Sequence, residues 1–250
     1  MKLQGKRALV TGASRGIGRA IALAFAKEGA ALVLGARDLA ALEGVRSEVG
    51  EAEVLRLDVS DPESIARARA QVGEVQILVN NAGIAKSVKV LAMDDEHWQS
   101  HLDVNLTGAF RVTRAFLGPM VEAKWGRIVN IASTAGKIGF AYTAAYCASK
   151  HGLLGFTRAL ALEVATSGVT VNAICPGFVR TEMASRAARN ISSKTGKTEA
   201  EATQWLESVS PQNRLIEPEE VAAVAVLLAS EEARGINGQA INIDGGAVVY

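Results

Sequence analysis

Short apolar runs alternate with longer amphipathic stretches along this chain of 250 residues, and the alternation restricts its fold more than any other feature. Such a pattern is typical of repeated strand–helix–strand units, in which helices cover each parallel strand. Hydrophobic residues make up 49% of the chain and aromatic residues only 5%, so the core must consist mainly of Ala, Val, Leu and Ile. These residues are typical of buried parallel strands. The sequence therefore predicts one doubly wound α/β domain over residues 1–250, with a parallel sheet covered by helices on both faces.

The alternation predicts seven strands and six helices. The strands are Arg7–Thr11, Ala31–Ala36, Glu53–Leu57, Ile77–Asn80, Arg127–Ala132, Thr170–Cys175 and Gln239–Ile243. Helical periodicity fits Ile17–Glu28, Leu39–Val49, Pro62–Val72, Asp95–Ala123, Thr143–Thr166 and Glu219–Ser230. The segment Arg180–Arg214 departs from this regularity, because it is polar and is inserted between a strand and a helix. Inserted segments of this kind commonly act as lids or binding loops, so we expect a substrate loop at about residues 180–214.

The charge distribution and the apolar runs predict the cellular setting. A net charge of +1 arises from 27 basic and 26 acidic residues spread along the chain, with no basic block of the kind that binds nucleic acid. The chain enters a strand too early to hold a signal peptide. No apolar run approaches the roughly 20 residues needed to span a bilayer. We therefore expect a cytoplasmic protein that has no nucleic-acid or membrane partner.

The cysteines and histidines indicate neither a disulfide framework nor a metal site. Cys147 and Cys175 each lie in an apolar segment, where a small buried thiol is the usual role of cysteine. His97 and His101 are four residues apart on a predicted helix, and His151 lies on another. No carboxylate motif accompanies the pair, so we expect no metal.

A glycine-rich turn joins the first strand to the first helix. Thr11 to Gly18 reads T-G-A-S-R-G-I-G, with glycines at positions 12, 16 and 18. Glycines here permit a tight turn, let the backbone approach a pyrophosphate, and direct the free N–H groups of the helix terminus at that anion. The spacing is G-x-x-x-G-x-G, which differs from the G-x-G-x-x-G of most dinucleotide folds. Because a strand precedes the turn and a helix follows it, the turn predicts dinucleotide binding.

Tyr146 and Lys150 are four residues apart on a predicted helix, so their side chains share one face. An ammonium that close favours the phenolate, which predicts a Tyr146 pKa lowered from about 10 toward the working pH, as a general acid or base requires. Ser133, at the end of an earlier strand, can add a hydroxyl to the same place. Taken alone, the pair also fits a packed tyrosine beside a solvated lysine.

Six motifs in order resemble the short-chain dehydrogenase/reductase family over nearly the whole chain. They are the glycine turn, N-N-A-G at Asn80–Gly83, Asn105, Ser133, Y-C-A-S-K at Tyr146–Lys150 and P-G-F-V-R-T at Pro176–Thr181. The resemblance implies a Rossmann-type fold with a seven-stranded sheet. It also implies that Tyr146 transfers a proton to the substrate carbonyl while Ser133 hydrogen-bonds it.

The same resemblance assigns the remaining site residues. Lys150 would lower the Tyr146 pKa and hold the nicotinamide ribose, and Asn105 would distort its helix and hold a water that links the lysine to solvent. Tyr142 has no lysine four residues later, so we expect it to form a pocket wall. The residues that the resemblance places against the cofactor are Gly12, Ser14, Arg15, Gly16, Ile17, Gly18, Arg37, Asp58, Val59, Asn81, Ala82, Gly83, Tyr146, Lys150, Pro176, Gly177, Val179 and Thr181.

The end of the second strand predicts which nicotinamide cofactor is preferred. In members that prefer NAD, an aspartate there binds the ribose 2′-hydroxyl and repels a 2′-phosphate. This chain has Ala36 at that position, and Arg37 and Arg15 could clamp a phosphate dianion. NADP(H) is therefore expected over NAD(H). A shift of one residue in the strand end would instead bring Asp38 near the ribose.

The substrate prediction depends on apolar residues around the catalytic pair. The serine segment S-T-A-G-K-I-G and the S-K-H-G of Ser149–Gly152 resemble the branch of 3-oxoacyl carrier-protein reductases, polyketide ketoreductases and 3-hydroxybutyrate dehydrogenases. We expect a ketone or acyl-thioester substrate, with acyl carrier protein as a possible carrier, and Lys137 could meet its acidic handle. The candidate pocket residues are Ala135, Lys137, Ile138, Phe140, Tyr142, Phe178 and Met183.

Two other functions remain open from the sequence. One is an NAD-dependent dehydrogenase of 3-hydroxybutyrate or another secondary alcohol. The other is a non-catalytic NADP-sensing protein on the same fold, although a sensor has no need of a proton donor. The resemblance further implies a homotetramer, and small residues such as Ala148, Gly152 and Gly155 on the predicted helix Thr143–Thr166 would permit close helix contact.

Overall fold

Seven parallel strands form one sheet in the computed structural model, which describes residues 1–249. Their order across the sheet is β3-β2-β1-β4-β5-β6-β7, so the winding direction reverses between β1 and β4. This arrangement confirms the doubly wound Rossmann-type fold, and three strands have the predicted bounds. The strands are β1 (Arg7–Thr11), β2 (Ala31–Ala36), β3 (Ala52–Arg56), β4 (Ile77–Asn80), β5 (Gly126–Ile131), β6 (Val169–Pro176) and β7 (Ala240–Ile243).

Nine α-helices occur in the part of the chain that the structure describes, and most of them cover the two faces of the sheet. Apolar side chains of α1, α2 and α9, including Phe25, Leu42 and Val221, pack on one face. Those of α3, α5 and α6, including Phe116 and Leu160, pack on the other. The helices are α1 (Gly16–Lys27), α2 (Leu39–Val49), α3 (Pro62–Val72), α4 (Asp95–Leu102), α5 (Gly108–Glu122), α6 (Ala144–Glu163), α7 (Glu182–Thr195), α8 (Glu199–Ser208) and α9 (Pro218–Ala229).

The predicted helix Asp95–Ala123 is interrupted. Between α4 and α5 the backbone forms a π-helical turn over Asp103–Thr107, which we call the π-turn. A π-turn inserts one residue into a helix without ending it, and such insertions are frequent at functional sites. Because the helix continues on both sides, the apolar periodicity of the sequence gave no sign of the interruption.

The prediction of a polar loop over Arg180–Arg214 is wrong, because this segment forms the helices α7 and α8. The two helices pack on each other through small and aliphatic residues, including Ala188, Ala202 and Leu206. Thr198 and Glu201 form a capping box at the start of α8, in which each side chain binds the backbone N–H of the other. That T-x-x-E pattern is the sequence signal that could have predicted α8.

The carboxyl ends of the strands carry the predicted site. Gly12 follows β1, Asn81 follows β4, Ser133 lies just after β5, and Pro176 ends β6. Ligands of open parallel sheets bind at this edge, near the point where the strand order reverses. Within residues 1–249, no helix is both long enough and apolar enough to cross a membrane.

Candidate active site

The glycine turn forms a cradle for an anion at the start of α1. Gly12 and Gly16 have φ angles of +65° and +55°, which only glycine adopts readily. A Cβ at Gly18 would lie 2.3 Å from the Gly12 carbonyl oxygen. Arg15, the N-cap residue, makes no capping hydrogen bond, and the first turn of α1 holds no acidic residue. The N–H groups at this terminus therefore suit a pyrophosphate, whose charge the helix dipole favours.

Thr11 fastens the cradle to the neighbouring strand end, a role that the sequence analysis missed. Its hydroxyl accepts hydrogen bonds from the N–H groups of Asn81 and Ala82, each at 3.0 Å, and donates to the Val79 carbonyl at 3.2 Å. The Asn81 amide in turn donates to the carbonyls of Thr11 and Gly12 at 2.9 and 3.1 Å. The threonine that opens the T-G-A-S motif was the available signal.

Ser133, Tyr146 and Lys150 meet at the end of β5. The Ser133 hydroxyl accepts from the Ala135 N–H at 3.1 Å and is hydrogen-bonded to the Tyr146 phenol. Lys150 is buried, and its Nζ donates to the Ile131 carbonyl at 2.7 Å. The same Nζ lies 5.8 Å from the centre of the Tyr146 ring. The structure thus brings the three predicted side chains together, with the ammonium held by a backbone carbonyl.

Burial sets the protonation of this group. It raises the pKa of Tyr146 above 10, and the Ser133 hydrogen bond only partly offsets the rise. The expected fall of the Tyr146 pKa toward the working pH is therefore wrong for this arrangement, because desolvation of the phenolate raises that pKa. Burial also lowers the pKa of Lys150 from 10.5 to about 8. At neutral pH the site holds a protonated phenol beside an ammonium that releases its proton unusually easily.

Asn105 lies inside the π-turn and is buried. Its side-chain amide donates to the Ile84 carbonyl at 2.9 Å and to the Ser149 hydroxyl at 3.0 Å, while its Oδ1 accepts from the Ile84 N–H at 2.8 Å. The predicted local distortion of the helix is present. The side chain joins the segment after β4 to α6, which carries Tyr146 and Lys150.

The end of β2 presents a neutral residue followed by a cation. Ala36 is buried and Arg37 is exposed. Asp38 is the N-cap of α2, where its Oδ1 accepts from the Ala41 N–H at 3.0 Å. Burial opposes ionisation of Asp58, but hydrogen bonds from Ser60 and the charge of Arg37 lower its pKa overall. Arg37 is therefore near enough to Asp58, at the predicted adenosine end of the site, for its charge to act on the carboxylate.

The turn after β6 lies against the glycine cradle. A Cβ at Gly16 would lie 3.2 Å from the Thr181 side chain, and the Arg15 guanidinium is 3.2 Å from the Glu182 carboxylate at the start of α7. The Gly177 N–H donates to the Ile243 carbonyl at 3.0 Å, which ties the turn to β7. Of the predicted residues Pro176, Gly177, Val179 and Thr181, it is Thr181 that lies against the cradle, whereas Val59 is buried beside Gly108.

The predicted substrate residues separate into two groups. Ile138, Phe140 and Phe178 line a cavity of about 60 Å³ beneath α8, together with Leu206 and Val209. Ala135 is buried, whereas Tyr142 and Met183 are 60% and 45% exposed. The Lys137 Nζ donates to the Ala240 carbonyl on β7 at 2.9 Å.

Comparison with known proteins identifies the family. The family model of the short chain dehydrogenases matches residues 6–192. The chain belongs to the short-chain dehydrogenase family. It is 43% identical to a monensin polyketide synthase putative ketoacyl reductase of Streptomyces virginiae, over 96% of this chain and 95% of that one. It is 40% identical to the D-beta-hydroxybutyrate dehydrogenase of Cupriavidus necator, over 98% of this chain and 99% of that one.

Another relative and a solved structure agree. The 3-oxoacyl-[acyl-carrier-protein] reductase of Escherichia coli is 39% identical over 98% of both chains. A crystal structure of an actinorhodin polyketide ketoreductase variant with NADPH superposes with a TM-score of 0.93, at 40% identity, and covers 98% of both chains. The predicted family resemblance is confirmed. As a short-chain dehydrogenase, this protein is an oxidoreductase acting between an alcohol and a ketone with a nicotinamide cofactor.

Proposed function

We propose that this short-chain dehydrogenase is an NADPH-dependent reductase of 3-oxoacyl thioesters. The observation that carries the proposal is the meeting of Ser133, Tyr146 and Lys150 at the end of β5, where Thr134, the residue after Ser133, lines a mostly apolar cavity. NADPH would supply the hydride that reduces the carbonyl carbon. The chain's own residues then have to position the carbonyl and provide the proton.

Tyr146 is the proton donor in this proposal. Because burial raises its pKa, the phenol stays protonated at neutral pH and can deliver its proton to the developing alkoxide. Ser133 donates a hydrogen bond to the same oxygen, while its own oxygen is fixed by the Ala135 N–H. Lys150 stabilises the phenolate that remains. Its pKa of about 8 lets it return a proton to Tyr146 near neutral pH.

The side chains at the adenosine end support NADPH over NADH. Ala36 carries no carboxylate that would accept from a ribose 2′-hydroxyl. Asp38, the alternative acceptor, has its carboxylate engaged in capping α2. Arg37 is exposed beside this site and supplies one guanidinium for a phosphate dianion, and Arg15 would supply a second by exchanging its exposed ion pair with Glu182 for the phosphate.

The cavity and the relatives support a 3-oxoacyl substrate. The lining of Ile138, Phe140, Phe178, Leu206 and Val209 suits the distal part of an acyl chain. Two of the relatives are named as reductases of ketoacyl groups, one of them for substrates on acyl carrier protein. A second candidate is an NAD-linked dehydrogenase of 3-hydroxybutyrate, which the Cupriavidus necator relative favours.

The proposal includes a homotetramer in the cytoplasm. Phe110 and Val121 on α5 and Leu162 on α6 are exposed apolar side chains, with Leu162 81% exposed. Such side chains on neighbouring helices suit contact with further copies of the chain. Light scattering during size exclusion would measure the assembly.

A substrate panel tests the proposed function. Acetoacetyl-CoA, a longer 3-oxoacyl thioester, a cyclic ketone and free acetoacetate would each be assayed with NADPH and NADH. We expect the highest kcat/KM for a thioester with NADPH, and loss of turnover in Tyr146→Phe with NADPH affinity retained. Preference for free acetoacetate with NADH would instead establish the second candidate, and full turnover by Tyr146→Phe would reject the proton donor.

A further inference from the structure

The segment Ile84–Val88, which we call the wall segment, follows β4 and borders the catalytic residues. It begins beside Gly83, where an added Cβ would lie 3.8 Å from Lys150 Nζ. Asn105 holds Ile84 through both its N–H and its carbonyl. The Val88 N–H donates at 2.8 Å to the carbonyl of Tyr142, which lies between Ser133 and Tyr146 in the chain. The wall segment is therefore tied to the catalytic group at both ends.

The middle of the wall segment is held by α7 and α4. The Asn190 amide of α7 donates to the Ser87 hydroxyl at 2.7 Å. The Lys86 N–H donates at 3.1 Å to Nε2 of His101, which lies on α4 and has no exposed surface. One buried imidazole thus provides the acceptor for the backbone at the centre of the segment.

The hydrogen bonds of His101 fix its protonation. A backbone N–H can only donate, so Nε2 must carry a lone pair. Nδ1 lies 2.8 Å from the His97 carbonyl and therefore carries the proton that it donates there. Both ring nitrogens are used, and the arrangement exists only while the imidazole is neutral. Protonation at Nε2 would place a donor against the Lys86 N–H and break this contact.

The groups around His101 determine the pH at which its imidazole becomes protonated. Burial lowers its pKa below 6.5, and the nearby charges of His97 and Lys86 act in the same direction. The His97 ring lies tilted by 31° against the His101 ring, with 4.6 Å between the centroids, and its Nε2 is buried with no hydrogen-bond partner among residues 1–249. The other elements packed against α4 are the π-turn and α6, and their titratable side chains are engaged in hydrogen bonds elsewhere. In the π-turn, the Asp103 carboxylate accepts from the Gln99 amide. On α6, Lys150 is hydrogen-bonded to Ile131, His151 to Cys147 and Tyr146 to Ser133. None of these supplies His101 with an acidic partner.

We propose that His101 is a positioning residue for the substrate site, and that its protonation in acid releases the wall segment. The neutral imidazole holds Lys86, and through it the backbone that runs past Lys150 and Tyr142. Loss of this contact leaves Ser133, Tyr146 and Lys150 in place but loosens the wall that the ketone packs against. Acid should therefore raise KM for the ketone before it lowers kcat.

Two substitutions separate the acceptor from the proton. His101→Gln offers an amide oxygen near the position of Nε2 and does not titrate, whereas His101→Leu removes the acceptor. Ketone kinetics at saturating NADPH would be measured from about pH 7.5 down to about pH 5.5. Deuterium exchange of the Lys86–Val88 amides would be followed at the same pH values, which gives a readout that needs no turnover. His151→Gln, an exposed histidine on α6, is the matched control.

We expect KM of the wild type and of His151→Gln to rise in acid, by less than about tenfold at pH 5.5 because the His101 pKa lies below 6.5, with kcat nearly constant, while KM of His101→Gln stays flat. His101→Leu should show the high KM and fast amide exchange already at the higher pH. An equal acid-induced rise in His101→Gln would overturn the proposal, and so would wild-type protection at Lys86–Val88, relative to the intrinsic exchange rate at each pH, that does not fall in acid. If His101→Leu does not fold, the wild type and His101→Gln still decide the outcome. Absence of thioester turnover would affect only the proposed function, because the exchange measurement is independent of it.

Discussion

Replacing Lys150 with methionine should abolish turnover and change how the stability of the protein depends on pH. Methionine keeps most of the length of the lysine stem and packs in a buried apolar site without a charge. Lys150 is only 4% exposed, so its ammonium is held in the interior at neutral pH. The substitution therefore removes a buried charge that the proposed catalytic role requires and that the fold has to accommodate.

The magnitude follows from the pKa of this lysine. Burial lowers it from 10.5 to about 8, a difference equivalent to about 3 kcal/mol. Since the pKa is lower in the folded chain, the unfolded chain binds the proton more tightly, and the full cost is present below pH 8. The cost disappears as the pH rises toward 10.5, where both states are neutral. Against this, the variant leaves the Ile131 carbonyl unpaired, which costs roughly 1–3 kcal/mol at every pH.

Urea unfolding at several pH values from about pH 7 to about pH 10 measures the effect. The free energy of unfolding of the wild type should rise by roughly 2–3 kcal/mol relative to Lys150→Met over this range. Both proteins would be compared at one concentration, and Lys194→Met, which alters an exposed lysine, serves as the control. Parallel curves for the wild type and Lys150→Met would refute the reasoning, since they would mean that Lys150 has the same pKa in both states.

Three further outcomes are expected. Arg37→Ala should raise KM for NADPH roughly tenfold and leave KM for NADH unchanged, because only the 2′-phosphate needs the guanidinium; equal changes with both cofactors would contradict the assignment. Thr11→Val should lower the free energy of unfolding by roughly 2–4 kcal/mol, because it leaves the N–H groups of Asn81 and Ala82 without their acceptor, and Thr11→Ser should restore it. Val209→Phe should narrow the cavity and lower kcat/KM for long acyl thioesters more than for acetoacetyl thioesters, whereas the exposed Trp205→Phe should not.

The strands were the most predictable part of the fold. Each is a short apolar run between polar segments, and burial on both faces of the sheet requires such runs. Local composition was less informative for α7 and α8, since they pack mainly on each other through alanines and a few larger residues. Their sequences therefore resemble that of a polar loop. Helical periodicity did not reveal the π-turn, because a single inserted residue leaves the pattern on either side intact, and only the family resemblance indicated a distortion at Asn105.

The sequence predicted which residues form the site, but it did not predict how burial shifts their pKa values. The motifs named Ser133, Tyr146 and Lys150, and spacing placed the last two on one helix face. The direction of the Tyr146 pKa depends on how many groups surround the phenol, and no local pattern reports that. Lys137 shows the same limit, because its contact with Ala240 joins residues that are far apart in the chain.

The sequence by itself determined the order of strands and helices, the family and the chemical groups available at the carboxyl edge of the sheet. These depend on short-range patterns, which are written directly in the order of residues. Only the tertiary structure decided that Lys150 is desolvated against a carbonyl and that His101 holds Lys86. Each of these is a matter of which groups exclude water from one another, and that is fixed only when distant segments pack together.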